Sequence, residues 1–509
     1  MTHAESFHDV LAAQFRRAPY LLASVLVHAL VGFVLASVML LTRERVEVPV
    51  LTVQAPPPPP MIEKPEVPPP PVTPVPLDDP TLVDLPLEAD PTEYLDAGDP
   101  DQLANAPWES FTTGLNVVGI GGPPGGDHGG PPGGGTRGAP QPMEIALADA
   151  LQWLADHQSP DGHWDADEFM LYDRYGDAPP SDGRGSPVVD VGLTGLCLLA
   201  FLGDGSTTVQ GRHRTQVAKG VQWLLENQRE DGLFGEEVGN PTLYNQSIAT
   251  LAVCEAYRLG NRSIALKKPA QRAVGVLVKA RNPYGAWRYR LEPNGDNDTS
   301  ITGWMVFALK SAQSGGLAVD KGCFDGAAAW FDAITDPATG RTGYAWGEDG
   351  GGMGSLPSRP LGKGDRFPAE RSEALTAVAL LCRIFMADAE SLRRWEDHPR
   401  YEELRKQADL LRAKPPRWDS DGASVDFYYW YYATYAMNQW GGAAWREWEK
   451  ALGRALLPTQ RRSDRPDNFH GSWDPADAWG EEGGRVYSTA LCALMLEVYY
   501  RYAQVLGGR

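Results

Sequence analysis

The sequence predicts an all-α protein whose ordered part is an (α/α)6 toroid of helical hairpin repeats, preceded by one transmembrane helix and a disordered linker. Three observations support this. An uncharged apolar run lies near the N-terminus, a segment rich in proline, glycine and acidic residues follows it, and leucine, alanine, tryptophan and tyrosine then recur at helical spacing. The predicted boundaries are 1–19 for an N-terminal tail, 20–42 for the membrane helix, 43–140 for the linker and 141–509 for the toroid.

The membrane helix is predicted from residues 18–42, which carry no formal charge. The almost wholly apolar stretch 20–41 is long enough to cross about 30 Å of hydrocarbon as a helix. A cleaved signal peptide would have a shorter apolar core followed by small residues, whereas charged residues follow here, beginning with Arg43. The short N-terminal tail favours an N-inside orientation, so we expect a single-pass anchor with the C-terminal domain on the far side of the membrane.

Ser24 and His28 lie four residues apart and therefore on one face of the predicted membrane helix. An ionisable side chain at that depth is costly, and it marks either a functional contact or a neutral histidine bonded to a carbonyl or a neighbouring helix. Together with Leu35 and the proline run from Pro56, the pair resembles the N-terminus of TonB-type energy transducers. The resemblance implies that the anchor lies in the cell inner membrane, where Ser24 and His28 face a proton-driven motor of the ExbB/ExbD type. It also implies that the C-terminal domain lies in the periplasm.

The linker is predicted from its composition. Residues 48–76 are rich in proline, which excludes helix and central strand and favours extended polyproline II. Between residues 46 and 139 there are 14 Asp or Glu against 2 Lys or Arg, which is more than half of the net charge of −20. An acidic, extended segment of this kind stays solvated. The sequence shows no basic stripe, so nucleic acid is not an expected partner.

The hairpins are predicted from a repeated unit that begins near residue 143. Two copies agree position by position, each with a tryptophan, a glutamine, a glycine and an aromatic residue: Trp153, Gln158, Gly162 and Trp164, then Trp223, Gln228, Gly232 and Phe234. Weaker copies lie at 285–287, 343–346 and 471–473. Strongly apolar second helices are predicted to start near residues 189, 244, 297, 369, 425 and 484. Helices that are apolar all round are buried, so six inner helices should be ringed by six amphipathic outer ones.

The two strong copies resemble the QW repeats of squalene and oxidosqualene cyclases, within the superfamily of terpenoid cyclases and protein prenyltransferases. The resemblance implies an α/α toroid in which the glutamine and the aromatic residue hold the outer helices together. It assigns this structural role, which is not catalytic, to Gln158, Trp164, Gln228, Phe234 and Trp287.

The sequence argues against cyclase and prenyltransferase chemistry. Cyclases that start by protonation use a DxDD motif, and the nearest candidate places Asn297 between Asp296 and Asp298 at the donor position. An amide cannot protonate an alkene. The zinc site of a protein prenyltransferase needs Asp, Cys and His, and no such set is spaced for it. We therefore expect no metal and no cofactor.

A candidate ligand rim comes from aligning the starts of the six second helices. The aligned residues are Asp190, Asn245, Asp298, Glu370, Asp426 and Arg485. Helix capping is the simpler explanation for the Asp and Asn residues, whereas Glu370 and Arg485 are poor caps. Among these residues and their neighbours, the candidates for catalysis are Asp296, Asp298, Glu370 and Asp426.

The fifth second helix adds a run of aromatic residues at 427–432, including Trp430. The run is either a thick aromatic core or the wall of a cavity that stacks on a sugar or surrounds an isoprenoid. The sequence thus predicts a membrane-anchored, non-cyclising toroid that binds an isoprenoid or carbohydrate ligand or acts as a scaffold. The alternative is an enzyme that acts on terpenoid or glycan substrates in the toroid cavity.

Overall fold

The computed structural model describes residues 142–283, 285–345, 359–360, 362–387, 398–419, 422–465 and 467–501. The predicted membrane helix, with Ser24 and His28, and the predicted linker lie outside these residues. No helix in the described ranges has the length and apolar character needed to cross a membrane.

The described residues form twelve α-helices and three short 3₁₀ turns, with no β-strand. The helices are α1 Pro142–Asp156, α2 Asp190–Gly203, α3 Arg214–Glu226, α4 Pro241–Leu259, α5 Ile264–Lys279, α6 Thr299–Gly315, α7 Lys321–Ile334, α8 Ala374–Met386, α9 Tyr401–Ala413, α10 Phe427–Trp440, α11 Gly442–Leu456 and α12 Gly480–Arg501.

The even-numbered helices form a closed ring. Helix α2 packs on α4, α4 on α6, α6 on α8, α8 on α10 and α10 on α12, and α12 returns to α2. The odd-numbered helices pack around them; α3, for example, contacts α2 and α4, and α1 contacts α12 and α2. The described part of the chain is therefore an all-helical α/α toroid of six hairpins.

Hydrophobic patterning explains which helices lie inside. Every residue of α2 from Gly192 to Gly203 is buried, so this helix has no face left for solvent. The outer helix α9 buries only one stripe, formed by Leu404, Gln407, Ala408 and Leu411, at the three- and four-residue spacing of an amphipathic helix.

Glutamine side chains join neighbouring outer helices. The Nε2 group of Gln158 donates to the carbonyl oxygen of Gln216 in α3 at 2.9 Å. In the next unit, Nε2 of Gln228 donates to the carbonyl oxygen of Pro269 in α5 at 3.0 Å. The interhelix bonds expected for these two glutamines are therefore present.

A third glutamine of this kind was not predicted. The Nε2 group of Gln460 donates to the carbonyl oxygens of Ala146 at 2.7 Å and Gly471 at 2.9 Å, so the segment after α11 is joined back to α1. Gln460 escapes the repeat pattern because a long loop separates it from Gly471, whereas four residues separate Gln158 from Gly162.

Aromatic side chains fill the inside of the ring. Helix α8 lies between α6 and α10, so side chains of α6 and α10 that touch do so through the interior. Trp304 stacks on Tyr431 with ring centroids 5.5 Å apart, and Phe307 contacts Tyr432 at 5.2 Å. Tyr431 and Tyr432 are 1% and 0% exposed, whereas the wall of a water-filled cavity would keep surface in contact with water. These residues form an aromatic core, the first of the two interpretations given above.

Candidate functional site

The N-terminal ends of inner helices meet at one opening of the ring, which we call the mouth. Asn245 of α4 accepts a hydrogen bond from the backbone of Gly192 in α2 at 3.2 Å. The hydroxyl group of Tyr428 in α10 donates to the carbonyl oxygen of Ser300 in α6 at 3.1 Å. The mouth therefore serves as the common reference for locating the candidate rim residues.

Asp298 and Asp426 cap inner helices. The Asp298 carboxylate is fully buried and accepts from the backbone N–H groups of Ser300 and Ile301 at 2.7 and 3.1 Å. Asp426 accepts from the backbone N–H of Tyr429 at 2.9 Å. It also forms a buried ion pair with Arg359 at 2.9 Å. Capping, the simpler of the two explanations, accounts for the position of both residues.

Asp190 and Asn245 serve neighbouring segments rather than their own helix starts. Asp190 is the first residue of α2, and its Oδ1 accepts from the backbone N–H of Ala166 at 2.9 Å. Burial, supported by the negative charge of Asp165, raises the pKa of Asp190 to about 7. Asn245 lies inside α4, where its amide also donates to the carbonyl oxygen of Val188 at 2.7 Å.

The alignment of Glu370 with the helix starts is wrong. Glu370 is exposed in the 3₁₀ turn Ala369–Arg371, and α8 begins only at Ala374. The residue that precedes α8 is Glu373. It is buried and pairs with Arg341 at 2.7 Å and Lys414 at 2.8 Å.

Arg485 is not a cation open to the mouth. It follows Gly484, whose positive φ of 70° interrupts the helical geometry of α12. Its side chain is 1% exposed and pairs with Asp182 at 2.6 Å and Asp474 at 2.7 Å. The charge of Arg485 is therefore taken up within the protein.

Trp430 and Asn297 make contacts that stabilise the fold, and Asp296 lies at the surface. Trp430 is 1% exposed and packs against Phe427, with ring centroids 5.7 Å apart. Asp296 is exposed on the loop before α6. The Oδ1 atom of Asn297 accepts from the backbone N–H of Ala286 at 2.8 Å, so this amide fixes the loop beside Trp287.

The mouth contains a group of tyrosines that sequence reasoning missed as a site. We call it the tyrosine cluster, and its members are the half-buried residues Tyr244, Tyr289, Tyr344 and Tyr428. The hydroxyl of Tyr244 lies 2.7 Å from Oγ of Ser300, whose carbonyl oxygen accepts from Tyr428. The hydroxyl of Tyr289 donates to Asp298 at 2.5 Å and also contacts the hydroxyl of Tyr344.

The hydroxyl groups of Tyr244, Tyr289 and Tyr428 stay protonated. Burial, with the charge of Asp298 adding to it, raises the pKa of Tyr244 well above its usual range, and the pKa values of Tyr289 and Tyr428 are raised for the same main reason. Neutral hydroxyls both donate and accept hydrogen bonds. The cluster is therefore suited to a ligand that also both donates and accepts hydrogen bonds.

Asp477 is a buried carboxyl group that the sequence did not single out. Its Oδ2 accepts from the backbone N–H of Phe427 at 3.1 Å, and its Oδ1 has no hydrogen-bond partner among the described residues. Burial, and then the charge of nearby Asp426, raises the pKa of Asp477 to about 8. The group is therefore largely protonated at neutral pH.

Three side chains have the types and spacing of metal ligands: two come from the first repeat turn and one from the start of α2. His163, Asp165 and Asp190 each offer one ligand atom, and these atoms lie within 4.8 Å of one another. No sequence spacing marks this group, because Asp190 joins His163 and Asp165 only in the folded chain.

Comparison with known proteins does not assign a family. No family model matches this chain, and no curated protein matches it. Similar solved structures include a cellobiose 2-epimerase from Spirochaeta thermophila, with 11% identity and a TM-score of 0.48 over 72% of this chain and 99% of that chain.

Two further similar structures are a mannosidase of glycoside hydrolase family 76 from Bacteroides thetaiotaomicron and a type II terpene cyclase from Scytonema. The first has 12% identity and a TM-score of 0.45, over 70% of this chain and 97% of that chain. The second has 13% identity and a TM-score of 0.42, over 70% and 98%. Similarity this distant assigns no reaction, so function has to be argued from the side chains.

Proposed function

We propose that this protein is a membrane-anchored toroid that binds a neutral, hydroxyl-rich ligand at the tyrosine cluster without cyclising it. The observation that carries the proposal is the meeting of Tyr244, Tyr289, Tyr344 and Tyr428 around Ser300 and Asp298 at the mouth. A carbohydrate or polyol supplies hydroxyl groups that exchange hydrogen bonds with tyrosines and Ser300. Its C–H faces also pack well on aromatic rings.

The filled interior favours a ligand at the mouth over an isoprenoid enclosed in the ring. Trp304, Phe307 and Tyr432 are at most 3% exposed and occupy the space between α6 and α10. The amide of Asn297 stands where a cyclase needs a strong acid, and it is engaged in holding a loop. Both observations support binding without cyclisation.

The membrane anchor is part of the proposal and rests on the sequence. Residues 20–42 would cross the inner membrane, and the proline-rich residues 48–76 would extend about 90 Å at about 3.1 Å per residue. This length supports a toroid that reaches its ligand in the periplasm, at a distance from the bilayer. Ser24 and His28 would contact a motor of the ExbB/ExbD type.

Calorimetric titration of the full-length chain in detergent tests the ligand class. The probes are neutral oligosaccharides, farnesol, and farnesyl diphosphate with and without Mg²⁺. We expect oligosaccharide binding that Tyr244→Phe and Tyr428→Phe each weaken about fivefold, the effect of losing a hydrogen bond of about 1 kcal/mol. Tyr401→Phe on the outer helix α9 is the matched control and should bind as the wild type does.

Two results would overturn this proposal. Tight, Mg²⁺-dependent binding of the diphosphate would restore prenyl transfer. Oligosaccharide binding that neither Tyr244→Phe nor Tyr428→Phe weakens would place the ligand away from the tyrosine cluster.

A second candidate function is hydrolysis of a glycosidic bond, and Asp477 favours it. A carboxyl group that keeps its proton at neutral pH is the form that donates to a glycosidic oxygen, and Asp426 is a neighbouring carboxylate. Asp477→Asn should then abolish release of reducing sugar while oligosaccharide affinity stays unchanged. If the wild type releases none, binding alone is the function.

A further inference from the structure

His163, Asp165 and Asp190 lie together where the first repeat turn meets α2. The Nε2 atom of His163 lies 3.5 Å from Oδ2 of Asp165, and an oxygen of Asp190 completes a set of three ligand atoms within 4.8 Å of one another. A single ion could reach all three after small side-chain rotations. Imidazole nitrogen and carboxylate oxygen are ligands that divalent transition metals accept.

The imidazole of His163 is oriented for such a role. Its Nδ1 lies 2.7 Å from Oδ1 of Asp161, and because a carboxylate only accepts hydrogen bonds, Nδ1 carries the proton. The Nε2 lone pair then faces Asp165. The ring also stacks on Trp223 with centroids 4.9 Å apart. A carboxylate bonded to the far nitrogen is the arrangement that fixes the tautomer of metal-binding histidines.

The two carboxylates each keep one oxygen for the site. Oδ1 of Asp165 accepts from the backbone N–H groups of Asp167 at 2.9 Å and Glu168 at 2.6 Å. Oδ1 of Asp190 accepts from the backbone of Ala166. Within the described ranges, no lysine or arginine forms an ion pair with either residue, so no cationic side chain occupies these oxygen atoms.

The repeat turn does not itself require these ligand types. The second turn has the same build, since Gly162 and Gly232 both have positive φ and a Cβ at either would collide with a carbonyl group of the next outer helix. At the positions of His163 and Asp165, however, the second turn carries Leu233 and Gly235. The histidine and the aspartate are therefore additions to a turn that folds without them.

We propose that His163, Asp165 and Asp190 bind a divalent transition-metal ion, with Zn²⁺ as the ion that suits one imidazole and two carboxylates. Three protein ligands leave at least one coordination position open to water or to a ligand. Asp161 is the positioning residue that orients His163. The tyrosine cluster takes no part in this site, so either proposal can fail without the other.

The test is a Zn²⁺ titration of the full-length chain after treatment with EDTA, followed by calorimetry. We expect the wild type to bind one ion that His163→Leu and Asp190→Asn each weaken at least about 100-fold. Asp161→Asn should weaken it about tenfold, as for other outer partners of metal ligands. The matched control is Asp231→Asn, the exposed aspartate of the second turn, which should bind as the wild type does.

Co²⁺ gives an independent measurement. In a site with a nitrogen ligand and few waters it shows visible absorption bands, which we expect in the wild type and not in His163→Leu. Circular dichroism confirms that each variant is folded, and Asp190→Asn provides a second variant that leaves the turn untouched. The assignment would be overturned if Zn²⁺ did not bind, or if its binding survived both His163→Leu and Asp190→Asn. Binding of Ca²⁺ or Mg²⁺ alone would overturn it too.

Discussion

On the α10–α12 side of the mouth, arginine side chains pair with three carboxylates, whereas on the described α2 side they pair with neither Asp165 nor Asp190. Asp426 pairs with Arg359, and Arg485 pairs with Asp182 and Asp474. In contrast, Asp165 and Asp190 have no lysine or arginine within ion-pair distance in the part of the chain that the structure describes. A carboxylate paired with a buried arginine contributes to the structure, whereas one without a cation keeps an oxygen atom available to a ligand.

The largest effect is expected from Arg485→Ala. The fully buried guanidinium pairs with two aspartates and donates to Oγ of Ser472 at 3.0 Å. Removing it should lower the free energy of unfolding, measured with urea, by about 3–5 kcal/mol. Arg412→Ala is the control, since Arg412 pairs with Glu447 on the exposed surface, where solvent screens the pair and its loss should change stability little. If the two variants were equally stable, Arg485 would be available to a ligand after all.

A pH-dependent effect is expected from Asp477→Asn on the same side. The pKa of Asp477 is about 8 in the folded protein against an ordinary 3.8, so the folded state holds the proton more tightly. Wild-type stability attributable to this group is complete below pH 3.8 and is lost as pH rises towards 8. Asparagine cannot ionise, so the variant should be more stable than the wild type by about 1–3 kcal/mol at pH 8 and similar at pH 4.

Urea unfolding of both proteins at the two pH values checks this prediction. A variant with no advantage at pH 8 would show that Asp477 is ionised and compensated, as Asp426 is. All of the named carboxylates on the α10–α12 side would then be compensated, and the two sides of the mouth would differ more strongly.

The smallest effect on stability is expected from His163→Leu on the α2 side. The second turn folds with Leu233 at this position, and among the described residues His163 pairs with Asp161 and Asp165, neither of which is fully buried. The free energy of unfolding in the absence of metal should change by less than about 1 kcal/mol, in thermal unfolding with EDTA present. A loss as large as that of Arg485→Ala would mean that His163 supports the turn, and the two sides of the mouth would then be alike.

The approximate positions of the inner helices were predictable, whereas the residue at which each helix begins was not. Long apolar runs located all six inner helices, because a helix that is buried on every side is apolar all round. The misplacement of Glu370 arose where a 3₁₀ turn precedes α8, since such a turn continues the helical pattern without being part of the helix. Gln460 was missed because an inserted loop changed its spacing from Gly471, so it no longer matched the repeat pattern.

The candidate sites were less predictable than the fold. The tyrosines of the cluster come from α4, α10 and two loops, so no local pattern joins them. His163 and Asp165 are adjacent to a recognised repeat residue, Trp164, and a comparison between the two strong turns could have marked them. Asp190 was named, but its partners were not.

The sequence by itself determined that the C-terminal part is a set of helical hairpins, which of their helices are inner, and which turns bond neighbouring helices. These properties follow from local spacing and from burial, which act along a single helix or turn. The tertiary structure alone decided that Arg485 is neutralised, that the aromatic run of α10 apart from Tyr428 is core, and that His163 meets Asp190. Charge, exposure and ligand geometry depend on neighbours distant in sequence, and only closure of the ring brings those neighbours together.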